Sequence, residues 1–170
     1  MKRFVSVTLT FVWLLVILYV SWQPSSQQDL KPVIMRQEKL LELIKDFPPI
    51  QFHYHNRLIH SHENTVGFVH FMLRKTGHFT AYAILGTLMI ISTGGFKNLK
   101  FRRWMTIGIV VYLVALADEY NQLSIPDRTG CWADTLIDLS GYVMVSLGLV
   151  FCIKIKNSFC HICQLISGIQ

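Results

Sequence analysis

The densest polar chemistry in the chain sits at the end of an apolar run. Ala117-Asp118-Glu119-Tyr120-Asn121-Gln122 follows "WMTIGIVVYLVAL". Asp118 and Gln122 are four residues apart, and Glu119 and Gln122 three, so on a helix they are neighbours. A second set lies in "LRKTGHFTAY", where Arg74, His78 and Tyr82 recur at helical spacing beside Lys75. A third is Asp134, with Asp138 one turn on, and Arg128 falls in the preceding segment "SIPDRTGCW". Carboxylates and an imidazole can exchange protons with a substrate, while Arg and Lys hold phosphates or carboxylates. Glu119, His78 and Asp118 are therefore the candidate catalytic groups. Arg74, Lys75, His78, Tyr82, Asp118, Glu119, Gln122, Arg128, Asp134 and Asp138 together are the candidate ligand-binding set.

The elements that must position them are hydrophobic helices. Of 170 residues, 52% are hydrophobic, and mean hydropathy is +0.40. A membrane-spanning helix needs about 20 mostly apolar residues. Spans are expected at about 4–22, 71–93, 104–123 and 135–153, which makes an all-α polytopic bundle of four transmembrane helices. The first span could instead be a secretory signal, since Lys2 and Arg3 precede it. Its apolar run exceeds the ~7–15 residues of a signal core, and "YVSWQP" has no A-x-A-like site, so a retained anchor is expected. Residues 1–156 form the membrane domain, with a connection over 23–70, and 157–170 form a tail.

The basic residues predict orientation, because cytoplasmic flanks are enriched in Lys and Arg. Lys2, Arg3, Lys97, Lys100, Arg102, Arg103, Lys154 and Lys156 all fall on one side if both termini are cytoplasmic. None of the ten acidic residues falls in those inside-facing segments. The net charge of +6 is then a topology signal, not a nucleic-acid footprint, and no nucleic-acid motif is present. The three polar sets converge at the outer ends of three helices. An intramembrane charge costs roughly 2.5–3.5 kcal/mol at a helix centre on insertion scales, so these groups need partners or water.

Within 23–70, "LKPVIMRQEKLLELIKDF" places Val33, Leu40, Ile44 and Phe47 on one face. This predicts an amphipathic helix capped by Asp29 and stopped by Pro48-Pro49, resting on the bilayer or the bundle. "IQFHYHNRLIHSHENT" predicts a hairpin turning at Asn56-Arg57. Gly94 and Gly95 are placed to end the second span.

"QPSSQ", "HFMLRKTGHFTAYAILG", "ADEYNQ", "IPDRTG" and "ADTLIDLSGY" resemble the VanZ-like membrane protein family, in the family's order, from Ser21 to about Gly148. The resemblance marks Arg74, Lys75, His78, Tyr82, Asp118, Glu119, Gln122, Pro126, Arg128, Asp134 and Asp138. It implies a multi-pass cell-membrane protein linked to low-level resistance to teicoplanin, a lipid-tailed glycopeptide, and it names no ligand. Two positions depart: Asn121 stands where the family often has His, and Asp127 where it often has Gly. Asn cannot titrate, which weakens an enzymatic reading.

Three functions stay open. The polar groups hold an anionic lipid headgroup, a lipid-linked envelope precursor or a lipoglycopeptide. Alternatively, Glu119 as base and His78 as acid work on a lipid-linked phosphate or sugar. Or the groups only pair with one another and lock a structural or regulatory bundle. No inverted repeat supports a transporter. No cofactor is expected. The His-x-His pairs at 53/55 and 60/62 would need to meet to bind a metal, so they are expected to be surface groups, and no metal is expected. Cys160-His161-Ile162-Cys163 lacks further ligands and a redox fold around it, so free thiols are expected.

Overall fold

A computed structural model describes residues 2–55, 57–97, 99–125 and 130–167, with side chains described between 3 and 158. Pro126, Asp127, Arg128 and Thr129 lie outside the described residues. Four long helices dominate: α1 (Lys2–Trp22), α4 (Thr65–Ser92), α5 (Phe101–Gln122) and α6 (Trp132–Ser167). Between α1 and α4 come a 3-10 turn (Ser25–Gln28), α2 (Lys31–Met35), α3 (Glu38–Asp46) and a hairpin of β1 (Gln51–Tyr54) and β2 (Arg57–His60).

Two of the long helices are long and apolar enough to cross a membrane, over Arg3–Trp22 and Trp132–Ser158. The other two, of 28 and 22 residues, are less apolar. Arg74 and Lys75 lie within α4; Arg102, Arg103, Asp118 and Glu119 lie near the ends of α5. Helix α1 exposes Phe4, Phe11, Tyr19 and Trp22 around most of its surface and buries only a narrow stripe, including Ile17. Such a surface suits an apolar surrounding.

The helices meet in a core of Ile17, Tyr82, Leu85, Ile90, Ile107, Val111, Ala115 and Tyr142. Helices α4 and α6 come into close contact at Gly141, where a Cβ would collide with the Phe79 carbonyl. Polar clasps accompany the apolar packing. Trp13 Nε1 donates to the Ala81 carbonyl at 2.9 Å, Trp104 Nε1 to Ser146 Oγ at 2.8 Å, and the Tyr142 hydroxyl to the Trp104 carbonyl at 2.7 Å. Helix α4 ends as expected, with Gly94 and Gly95 at φ +128° and +75°. The Arg103 guanidinium donates to the Thr93 and Gly95 carbonyls and so ties α5 to that end.

The connection departs from expectation in three places. The single amphipathic helix is two helices, α2 and α3, broken at Arg36-Gln37, where Gln37 leaves the helical region (φ −96°, ψ 64°). The Asp29 carboxylate does accept from the Lys31 N–H at 3.0 Å, and α3 stops at Asp46 with Phe47 extended ahead of Pro48. The hairpin differs from the expected turn at Asn56-Arg57: Arg57 is already in β2, paired with Tyr54, and His55 stands at φ 53°, while Asn56 lies outside the described residues. Helix α4 begins at Thr65, ahead of residue 71, because Asn64 Oδ1 accepts from the Gly67 N–H at 2.9 Å. Leu40, Leu43 and Phe47 of α3 and the following turn remain exposed.

Candidate functional site

The three polar sets do meet, where the middle of α4 packs beside the start of α6 and the end of α5. Four-residue spacing puts Arg74, His78 and Tyr82 on one stripe of α4. The last turn of α5 supplies Asp118, Glu119 and Gln122, and the first two turns of α6 supply Asp134 and Asp138. The carboxylates are almost wholly buried: Asp118 is 3% exposed, Glu119 5%, Asp134 5% and Asp138 0%. Buried charges persist only when paired or hydrogen-bonded.

The partners divide the site into two halves. In one, Asp134 accepts from Lys75 Nζ and from the Tyr54 hydroxyl. The ammonium also lies 4.5 Å from the Tyr54 ring centroid and 5.3 Å from that of Phe71. Burial, then the bond to Asp134 and its charge, push the Tyr54 phenol well above its ordinary pKa, so it stays a donor. In the other half, His78 Nδ1 lies 3.2 Å from Asp138 Oδ1. Gln122 Nε2 donates to Asp118 Oδ2 at 3.2 Å and to Glu119 Oε1 at 3.4 Å. The Cys131 N–H donates to Glu119 Oε2 at 2.8 Å. That last bond needs Gly130, where a Cβ would stand 2.5 Å from the Glu119 carbonyl. Among the described residues, Asp118 Oδ1 and Asp138 Oδ2 are buried here with no hydrogen-bond partner.

A cavity of about 420 Å³ opens beside this second half. Trp13, Val16, Ile17 and Val20 of α1 and Leu73 and Ala81 of α4 form an apolar wall. Arg74, His78, Asp118 and Gln122 form a polar end. Gly77 lines the cavity with open space where a Cβ would be. Arg74 makes no ion pair among the described residues.

Comparison with known families matches residues 6–154 to VanZ/LLP1. The chain belongs to the VanZ/LLP1 family. Comparison with curated proteins and with solved structures finds no match. The VanZ/LLP1 match begins within α1, covers α4, α5 and every candidate residue, and ends within α6, before the tail.

Of the sequence-derived candidates in this VanZ/LLP1 chain, Lys75, His78, Asp118, Glu119, Gln122, Asp134 and Asp138 share one network or its immediate neighbour, Tyr82 and Arg74 line the cavity, and Arg128 is outside the described residues. The hydrogen bond of His78 goes to Asp138. Sequence reasoning missed Tyr54, the Cys131 N–H and the α1 wall. Only the alternation of β1, which turns Phe52 and Tyr54 to one side, hinted at the first. The histidines of the α1–α4 connection take local roles. His60 Nδ1 accepts from the N–H groups of His62 and Glu63, and His62 Nε2 lies 3.0 Å from the Phe47 carbonyl. The CxxC side chains fall outside the described ones.

Proposed function

We propose that this VanZ/LLP1 protein is a multi-pass cell-membrane protein that binds an amphiphile with an anionic headgroup, such as a lipid-linked envelope precursor or a lipoglycopeptide. Helices α1, α4, α5 and α6 cross the bilayer, both termini are cytoplasmic, and the polar site faces outward. At 1.5 Å per residue, α4 is about 42 Å long, enough for a hydrocarbon core of about 30 Å with polar residues beyond it. The basic residues before α1, between α4 and α5 and late in α6 support the orientation.

The observation that carries the proposal is the asymmetric cavity, apolar along α1 and polar at Arg74, His78, Asp118 and Gln122. Its volume is that of a small-ligand site, and such sites pair apolar walls with a few placed polar groups. Arg74, with no ion pair among the described residues, is available to a phosphate or carboxylate, which a guanidinium grips through two parallel bonds. The association with teicoplanin resistance would follow if the drug's acyl tail, or the precursor it competes for, occupied the cavity. The test is titration of a lipid phosphate into the purified protein, wild type against Arg74→Ala. Equal affinity with both proteins folded would overturn the proposal.

One observation favours a second reading. The His78–Asp138 pair holds an imidazole beside Glu119, as an acid–base site on a lipid-linked phosphate or sugar would need. That reading requires turnover of such a substrate by purified protein and its loss in Glu119→Gln.

A further inference from the structure

We propose that His78, Asp118, Glu119 and Asp138 hold one divalent transition-metal ion. The inference goes beyond amphiphile binding and does not rest on it. One ligand atom from each of the four side chains lies within 4.8 Å of all the others. Ligands at about 2.0–2.2 Å from an ion stand about 3.3–3.6 Å apart in a tetrahedral site and up to about 4.4 Å apart across an octahedral one, so the widest pair must close by about 0.4–1.5 Å.

Charge argues the same way. Lys75 is committed to Asp134. The remaining three buried carboxylates face one imidazole, and Arg74 pairs with none of them among the described residues. Such an excess of buried negative charge is costly without a counter-ion. The independent observation is a pair of stranded acceptors. Asp138 Oδ2 and Asp118 Oδ1, on residues 0% and 3% exposed, have no hydrogen-bond partner among the described residues. A dication takes up both free oxygens, and it replaces the proton that His78 shares with Asp138. Gln122 and the Cys131 N–H, already bound to Asp118 and Glu119, would hold the ligating carboxylates in place, as outer partners of metal ligands do.

The donor set selects the ion. One nitrogen and three oxygens, with no thiolate, suit zinc, manganese or iron(II) over copper(I), and magnesium prefers oxygen ligands and its own water. His78 and Asp118 also line the cavity, so any coordination position left open faces it.

The test uses full-length protein carrying a histidine-free tag, stripped with chelator, checked for fold by circular dichroism, and dialysed separately against zinc and manganese. Metal is counted by mass spectrometry after desalting. The wild type should retain about one ion per chain, and Asp118→Asn and Asp138→Asn should each lower retention at least about tenfold. The double variant His53→Ala/His62→Ala should retain the ion. A folded wild type that keeps less than about a tenth of an ion of either metal overturns the proposal, as does loss of metal in the loop double variant alone. Should the buried-carboxylate variants fail to fold, a cobalt-loaded wild type decides: a visible spectrum of a mixed nitrogen–oxygen site supports the proposal, and that of hexaaqua cobalt refutes it.

Discussion

Gly77 offers the sharpest perturbation of the cavity. It lines the wall, and a Cβ there meets no heavy atom within 4 Å. Gly77→Phe should therefore insert a ring into empty space, not into neighbours. A benzene-sized group needs roughly 150 Å³, about a third of the 420 Å³ available. An acyl chain that used that volume must leave it. It regains lipid contacts outside, so the loss is the difference in packing, not a full transfer to water. At ~0.1–0.2 kcal/mol per contact and a deficit of about ten contacts, the loss is about 1–2 kcal/mol, or roughly 5- to 30-fold in affinity. Gly77→Ala is the paired control. It adds no bulk to the chain's path and should stabilise α4 by about 0.5–1 kcal/mol while leaving affinity within about twofold. The assay is titration of a fluorescent lipid phosphate into detergent-solubilised protein, with thermal unfolding run alongside. A folded Gly77→Phe that binds as wild type does would refute the cavity as the binding site.

Arg74→Ala should weaken headgroup binding by about 1.5–3 kcal/mol, the usual value for a hydrogen bond to a charged group, and Arg74→Lys by less; the same titration measures both. Gly141→Ala should destabilise the fold by about 1–3 kcal/mol through overpacking against the Phe79 carbonyl, read as a lower midpoint of thermal unfolding in detergent. Tyr54→Phe should remove one of two donors to Asp134, cost on the order of 1–3 kcal/mol, and loosen the hairpin, seen as faster proteolysis between residues 51 and 60. Because Tyr54's folded pKa is raised, its contribution is fully present below its unfolded value near 10 and is lost only as pH rises through the folded value; tyrosinate absorbance from Tyr54 should thus be absent at about pH 10 and emerge with unfolding. In a glycopeptide-sensitive host, expression of the wild type should reduce teicoplanin susceptibility and Glu119→Ala at equal protein level should not; equal susceptibility of the two would count against the proposed link.

Much of the site was legible because its spacing is helical. The pairs Arg74/His78, Asp118/Gln122 and Asp134/Asp138 are set by local geometry once each segment is a helix, and apolar runs fix the segments. Which stripe faces which is tertiary, and there the sequence is silent. Nothing local distinguishes Asp138 from Glu119 as the partner of His78; the close approach at Gly141 decides it. Tyr54 reaches Asp134 across eighty positions through a hairpin whose docking has no sequence signature. The break at Arg36-Gln37 was hidden because the apolar spacing continues across it. The division of buried charge into a neutralised Lys75–Asp134 half and an acid-rich half at His78 appears only when the helices are assembled.

The most direct measurement of the central claim is mapping a photoactivatable lipid phosphate on the protein in bilayers, by mass spectrometry of crosslinked peptides. Labelling concentrated on 13–21 and 73–82, and competed away by unlabelled lipid phosphate, is the expected result. Labelling spread evenly over the exposed apolar residues of α1, α5 and α6, and unaffected by competitor, would contradict it.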